Sequence, residues 1–256
     1  MTSGRAAPAD AERESESQLA ARSITHPLAR TLLLLTFSTG LVDAVSYLGI
    51  GHVFTANMTG NIVFLGFGLA GSGGLPVVAP LISLGAFLVG AGGGGVLAAR
   101  MAARRRRNLG LALAIEVALI VVAAVMAATI DVRPNAVSGD TVIALLAIAM
   151  GVRNATVRRV AVPDLTTTVL TMTLTGLAAD SMLFGGSGKG TTRRSAAVLA
   201  MLAGALAGAL LLKTSLVVPL AVAAGLALIT SLLYGWREPD AGGQGLDRLR
   251  AGISAQ

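Results

Sequence analysis

The chain contains no cysteine, one tryptophan and two histidines in 256 residues. Without cysteine there is no disulfide, no thiolate metal site and no cysteine nucleophile. His26 and His52 are too few and too far apart in sequence to build a metal centre, so neither metal nor cofactor is expected. Charge is scarce too. Only 13% of residues are charged, against about 25% in an ordinary soluble domain. From Thr31 to Ala99 the one formally charged side chain is Asp43. A soluble fold needs outer faces that meet water, so this stretch excludes an ordinary cytosolic globule. A bilayer accepts it, because each helical crossing takes about 20 mostly apolar residues.

What charge there is has a pattern. The net charge is +7, and its densest cluster, Arg100 with Arg104 to Arg107, sits beside apolar runs. That placement reads as a membrane-flanking anchor and not as a nucleic-acid surface. Residues 1–27 mix Arg with Asp10, Glu12, Glu14 and Glu16, have no apolar centre of the kind a secretory signal needs, and read as a disordered, solvated tail. Residues 237–256 read the same way. The membrane domain is therefore expected over 28–236.

Eight apolar segments divide that domain: Thr31–Ile50, Val53–Ala70, Pro76–Ala99, Leu109–Ile130, Thr141–Val157, Leu165–Phe184, Ser195–Leu212 and Ser215–Trp236. They are continuous and rich in Ala and Leu, unlike the alternating segments of about 10 residues in a membrane barrel. The fold class is all-α, a polytopic helical membrane protein. A repeat runs through it. Gly40-Leu-Val-Asp43-Ala44 and Thr55-Ala-Asn-Met-Thr59-Gly60 are echoed by Gly151-Val-Arg-Asn154-Ala155 and Thr171-Met-Thr-Leu-Thr175-Gly176. Gly90/Gly94 are then echoed by Gly204/Gly208. The halves are about 28–130 and 141–236. About eight spans, as two four-helix repeats, would make the halves parallel. The alternative of about six spans treats the short polar second and sixth segments as incomplete crossings, and three per half would make the halves inverted. With eight spans the basic residues divide eight against seven between the two faces, which decides no orientation.

The polar residues within these segments are the candidate site. Asp43 lies deep in the first span, where an unpaired ion costs at least about 2.5 kcal/mol. It is protonated, facing water, or paired, with Arg153 or Arg158 as partner. Its repeat counterpart is Asn154. The second segment carries Thr55, Asn57, Thr59 and Asn61; as a helix it would show two polar faces. The sixth carries stripes of Thr167, Thr171 and Thr175, and of Thr166, Thr173 and Asp180. Threonine also bonds its own helix backbone, so the threonines alone favour simple packing. Glu116, the one charge within Leu109–Ile130, is a protonated carboxyl, an Arg partner or a proton carrier, with a structural role favoured. The two G-x-x-x-G pairs, Gly90/Gly94 and Gly204/Gly208, read as close helix contacts.

Several signals fail. The loop Gly185 to Thr192 lacks the first glycine of a phosphate loop, has Gly190 after Lys189, and follows no strand. Ser38 and Ser46 have no His or Lys base within evident reach, so no enzyme is expected. At Gly40-Leu-Val-Asp43-Ala44 followed by Phe54-Thr-Ala-Asn57-Met-Thr59-Gly60-Asn61 the chain resembles the YoaK-type family of bacterial inner-membrane proteins, a domain of unknown function. Arg153-Asn154-Ala155-Thr156-Val-Arg158-Arg159 with Thr166 to Gly176 looks like that family's second block, although Arg153 stands where glutamine is expected. The resemblance covers about residues 28–236. It implies a multi-pass plasma-membrane protein and carries no substrate.

The expected function is a small secondary transporter or permease. Asp43, Asn57, Thr59, Asn61, Asn154, Thr171, Thr175 and Asp180 would line a midplane site, with Arg153 beside it. The alternative is a non-transporting membrane scaffold or accessory subunit. Expected partners are the lipid bilayer and a small solute or ion; an oligomer is open, and no nucleic acid is expected.

Overall fold

The computed structural model describes residues 25–101, 105–160, 170–182 and 185–235. Most of both expected tails, Arg104, Thr166 and Thr167 lie outside the described residues. Eight helices follow in order: α1 (Pro27–Val45), α2 (Met58–Leu69), α3 (Val78–Arg100), α4 (Arg105–Thr129), α5 (Val137–Val160), α6 (Leu170–Ala179), α7 (Thr191–Leu212) and α8 (Val217–Gly235). No strand occurs among the described residues. Each helix falls on one of the eight apolar segments. Pro27 starts α1 without wasting a donor, and the His26 side chain accepts from Leu28 N–H at 3.3 Å. A wider π-helical turn, Ser46–Gly51, continues α1 and ends at His52, whose φ is +52°.

Length separates the helices into two kinds. Pro27–Gly51, Val78–Arg100, Arg107–Thr129, Val137–Arg159 and Thr191–Leu212 are long and apolar enough to cross a membrane. The 19 residues of α8 span about 28 Å at 1.5 Å each. The 12 residues of α2 reach about 18 Å, against a hydrocarbon core of about 30 Å; α6 is described from Leu170, directly after the undescribed residues 161–169. One expectation is corrected here. The second segment is not helical from Val53; Val53 to Asn57 is irregular and α2 begins at Met58. Thr55 and Asn57 therefore do not share helix faces with Thr59 and Asn61.

The bundle is apolar outside and buries a set of polar side chains among its apolar core. Asp43, Glu116, Arg153, Ser38, Thr39 and Asn61 are buried, whereas Leu88, Val89, Leu199 and Leu202 are exposed. α1 and α5 are the most enclosed crossings, and α3, α4 and α7 are mostly exposed. This is the distribution a lipid solvent selects, where leucine gains nothing by turning inward.

Packing fixes the helix directions. Leu28 and Leu32, at the start of α1, cluster with Leu109 from the start of α4, Ala197 from the start of α7 and Val157 from the end of α5. Leu41 to Ile50, at the other end, cluster with Ile120 late in α4, Ile143 early in α5 and Leu220 early in α8. So α4 and α7 run with α1, and α5 and α8 run against it. Ser231 of α8 bonds Gly110 O near the start of α4, in keeping with that reversal. A Cβ on Gly90 or Gly94 would meet the backbone of Ile148 or Val152, so α3 runs with α5; Gly204 and Gly208 meet Phe37 and Leu41 in the same way across α7 and α1. The same crossing is thus built twice, and the expected role of both glycine pairs holds. Matched helices α1 and α5, however, run in opposite directions. A parallel relation between the halves does not fit that packing.

The segments that carry α2 and α6 each leave and return to their own end of the bundle, and the two ends are opposite. Gly51 closes α1 against Ile143 and Ala79, so α1 ends where α3 starts, with α2 between them. α5 ends beside the starts of α1 and α7, with α6 between them.

Candidate functional site

The irregular stretch before α2 is pinned from two sides. Asp43 Oδ1 accepts from Thr55 N–H and Ala56 N–H, each at 2.9 Å, and from the Thr55 hydroxyl at 3.4 Å. Asp43 lies eight residues before Gly51, about 12 Å along the helix, so the chain doubles back beside α1 to reach it. Asn61 serves Phe54 as a strand partner would: its Oδ1 accepts from Phe54 N–H at 2.8 Å and its Nδ2 donates to Phe54 O at 2.6 Å. The Ser83 hydroxyl, from α3, also donates to Phe54 O at 2.6 Å. Tyr47, Phe54 and Phe64 stack over the turn. A methyl on Gly60 would press into the Phe54 ring at 2.8 Å, so only glycine fits there. Irregular backbone survives at membrane depth only when protein satisfies it, and these side chains do so. Asp43 Oδ2 has no hydrogen-bond partner among the described residues.

Arg153 does not pair with Asp43, which corrects that sequence expectation. Its Nε donates to Glu116 Oε2 at 2.8 Å, and its Nη2 bonds Glu116 Oε1 and the Ser38 hydroxyl. Nη1 donates to Leu35 O at 3.0 Å and to the Thr39 hydroxyl at 2.9 Å. All five guanidinium N–H groups are used, and Arg153 and Glu116 are both buried. The cluster ties α1, α4 and α5 together. Of the alternatives for Glu116, the Arg partner is the one observed.

In front of the pinned turn lies a cleft of about 1260 Å³. Its walls are the start of α2, the first described turn of α6, the ends of α3 and α5, and Met201 of α7. Four of the expected residues line it: Asn57, Thr59, Asn154 and Thr171. Asn57 also caps α2, accepting from Gly60 N–H at 3.5 Å, and Asn154 Nδ2 donates to Met150 O at 2.8 Å. Arg158 and Arg159 complete the polar lining, and Arg159 reaches across to Gly95 O on α3 at 3.3 Å. The remaining surface is apolar, with Phe87, Leu174 and Met201.

The other expected residues do not line this cleft. Asp43 and Asn61 stand behind its wall and hold it, and Arg153 belongs to the buried lock. Thr175 donates to Thr171 O on its own helix at 3.0 Å, as the packing reading of the threonines requires. Asp180, half exposed, pairs with Arg194 Nη1 at 2.7 Å, fastening the end of α6 to α7. Ser83 was not foreseen; the one signal for it is that it is the sole hydroxyl in α3. Arg158, expected as the alternative partner of Asp43, lines the cleft instead, and Arg159 was not expected in the site. Among the described residues no three His, Asp or Glu gather to hold a metal.

An all-helical bundle with lipid-suited outer faces, polar groups buried in its core and several membrane-length helices defines a multi-pass membrane protein. Residues 31–233 match the family described as "Protein of unknown function (DUF1275)", and the chain belongs to that family. It is 34% identical over 154 residues to UPF0700 transmembrane protein YoaK of Bacillus subtilis (strain 168). The match covers 58% of this chain and 65% of that protein, just under two thirds of the relative's length. No solved structure matches the chain.

Proposed function

We propose that this protein is a small secondary transporter or permease of the bacterial plasma membrane, that it works without covalent chemistry, and that the cleft is its solute site. The observation that carries this reading is the cleft itself. The start of α2 and the first described turn of α6, at corresponding places in the chain, line one cavity whose wall carries Asn57, Thr59, Asn154, Arg158 and Arg159. Short, interrupted helices at corresponding positions of two halves are where secondary transporters place substrate.

In this reading six helices cross and α2 and α6 are half-helices entering from opposite faces, so that the halves are inverted repeats. The opposite directions of α1 and α5, and of α4 and α8, support it. Charge supports it as well. Six crossings put Arg22, Arg30, Arg100, Arg104 to Arg107, Arg158, Arg159, Lys189, Arg193, Arg194 and Arg237 on one face, thirteen in all, and only Arg133 and Lys213 on the other. Cytoplasmic loops carry the excess of Lys and Arg, so the thirteen face the cytoplasm. Asp43 is the proton-responsive group: Oδ1 holds the turn, and Oδ2 is open to a proton.

The test is solute flux by the purified protein in liposomes. Asp43→Asn keeps an acceptor for Thr55 and Ala56, and is expected to abolish stimulation by a pH gradient while solute exchange continues. Full stimulation in Asp43→Asn removes the proton role; absence of flux for every solute class removes the transporter.

The Arg153–Glu116 lock favours a second reading, a non-transporting scaffold, because it is buried and every guanidinium N–H is used within the protein. There Asn57→Ala lowers stability without changing any flux, and a partner protein co-purifies.

A further inference from the structure

The cleft has a sign. Among the described residues its charged lining is Arg158 and Arg159, and none of the described lining residues is acidic. The first turn of α2 also opens on it through Met58, Thr59 and Gly60, presenting the positive end of a helix dipole. Arginines at the end of a crossing helix commonly extend to lipid headgroups. Here both line a cavity, and Arg159 bonds the facing wall at Gly95 O, so the two charges form one end of the cleft. Away from them the wall turns apolar at Phe87, Leu174 and Met201. A cavity of about 1260 Å³ exceeds the roughly 300–1,000 Å³ of typical small-ligand sites, which leaves room for more than an inorganic ion.

We propose that the cleft takes an amphipathic anion, with a carboxylate or phosphate head held by Arg158 and Arg159 and an apolar body lying against Phe87, Leu174 and Met201. The inference rests on the cleft being the solute site of the transporter reading and adds the class of solute. The head belongs either to a soluble organic anion or to an anionic phospholipid, and the chemistry recognised is the same. Arginine suits it because its planar fork bonds two oxygens of such a head at once.

The experiment uses the full chain in phosphatidylcholine nanodiscs. Binding of radiolabelled phenylacetate and of phenethylamine is measured by scintillation proximity, and retention of phosphatidylglycerol against phosphatidylcholine by native mass spectrometry. Saturable phenylacetate binding without phenethylamine binding is expected. Arg158→Gln should weaken it about tenfold or more, the loss of a charge-assisted contact, and Arg158→Lys should restore part of it. Arg133→Gln, outside the cleft, is the control for general charge. Selective, Arg158-dependent retention of phosphatidylglycerol with no phenylacetate binding supports the same site with lipid as the source. Equal binding of phenethylamine, anion binding unchanged in Arg158→Gln and Arg159→Gln, or no binding of either anion overturns the proposal. Flux separates it from the reading beneath it. Anion binding without transport in liposomes removes the transporter and keeps the anion site. Transport of the amine and not the acid does the reverse.

Discussion

The sharpest consequence of the pinned turn concerns Ala56. Its N–H and that of Thr55 end on Asp43 Oδ1, and its side chain is buried. Asp43→Ala removes the acceptor and strands two backbone donors away from water. Each unsatisfied buried group costs about 1–3 kcal/mol, so the closed turn loses about 2–6 kcal/mol relative to a released one. Since 1.4 kcal/mol is a factor of ten, the released population rises at least about thirtyfold. The natural absence of cysteine makes this measurable in an otherwise unmodified chain. Ala56→Cys is labelled with a water-soluble maleimide in liposomes, alone and with Asp43→Ala; Thr59→Cys, exposed in the closed turn, is the reference. Where opening precedes labelling, the rate follows the open population, so Ala56→Cys should react at least about thirtyfold faster once Asp43 is truncated. Thr59→Cys should change little, and Asp43→Asn should stay near the parent rate. An unchanged Ala56→Cys rate in a correctly folded Asp43→Ala protein refutes the pinning mechanism.

Three further outcomes are expected. Arg153→Gln leaves Glu116 buried and without its cation, a loss of about 3–5 kcal/mol, and adding Glu116→Gln should recover more than half of it in detergent unfolding titrations; a double variant no better than the worse single one contradicts the lock. Gly204→Leu should lower the thermal midpoint sharply, since a Cβ there meets Phe37 backbone, whereas Gly92→Ala, with open space around it, should leave the midpoint unchanged or slightly higher. Ser72→Cys and Thr214→Cys should be labelled by impermeant reagent from the same face of oriented vesicles, because a half-helix α2 returns the chain to the side it left; labelling from opposite faces restores the eight-crossing count.

The helical class was readable because lipid-facing segments need no polar residues, and the uncharged run around Asp43 has no soluble explanation. The two close helix crossings were readable in Gly90/Gly94 and Gly204/Gly208, since a glycine that admits another backbone cannot be replaced cheaply. Partners were harder. Asp43 invited a search for a cation, but backbone N–H groups satisfy it, and those carry no letter in a sequence. Arg153 had two acids within chemical reach on paper, and only folding chose Glu116. Asn57 and Asn61 looked alike; one borders the cleft and the other mimics a strand edge, a distinction created by the loss of helix at Val53 to Asn57. Arg158 was considered only as a partner for Asp43, and Arg159 was hidden by resemblance to ordinary flanking charge.

The bonds around Phe54 bear on how such a cleft could change shape. With both backbone groups of Phe54 held by Asn61 and Ser83, and the next two amides held by Asp43, the α2 side is a rigid abutment. On the facing side Thr175 donates to Thr171 O within α6, and Arg194 fastens the far end of α6 through Gly176 O and Asp180. Moving the α2 wall therefore means breaking all of the bonds around Phe54 together, so that side of the cleft behaves as a single block.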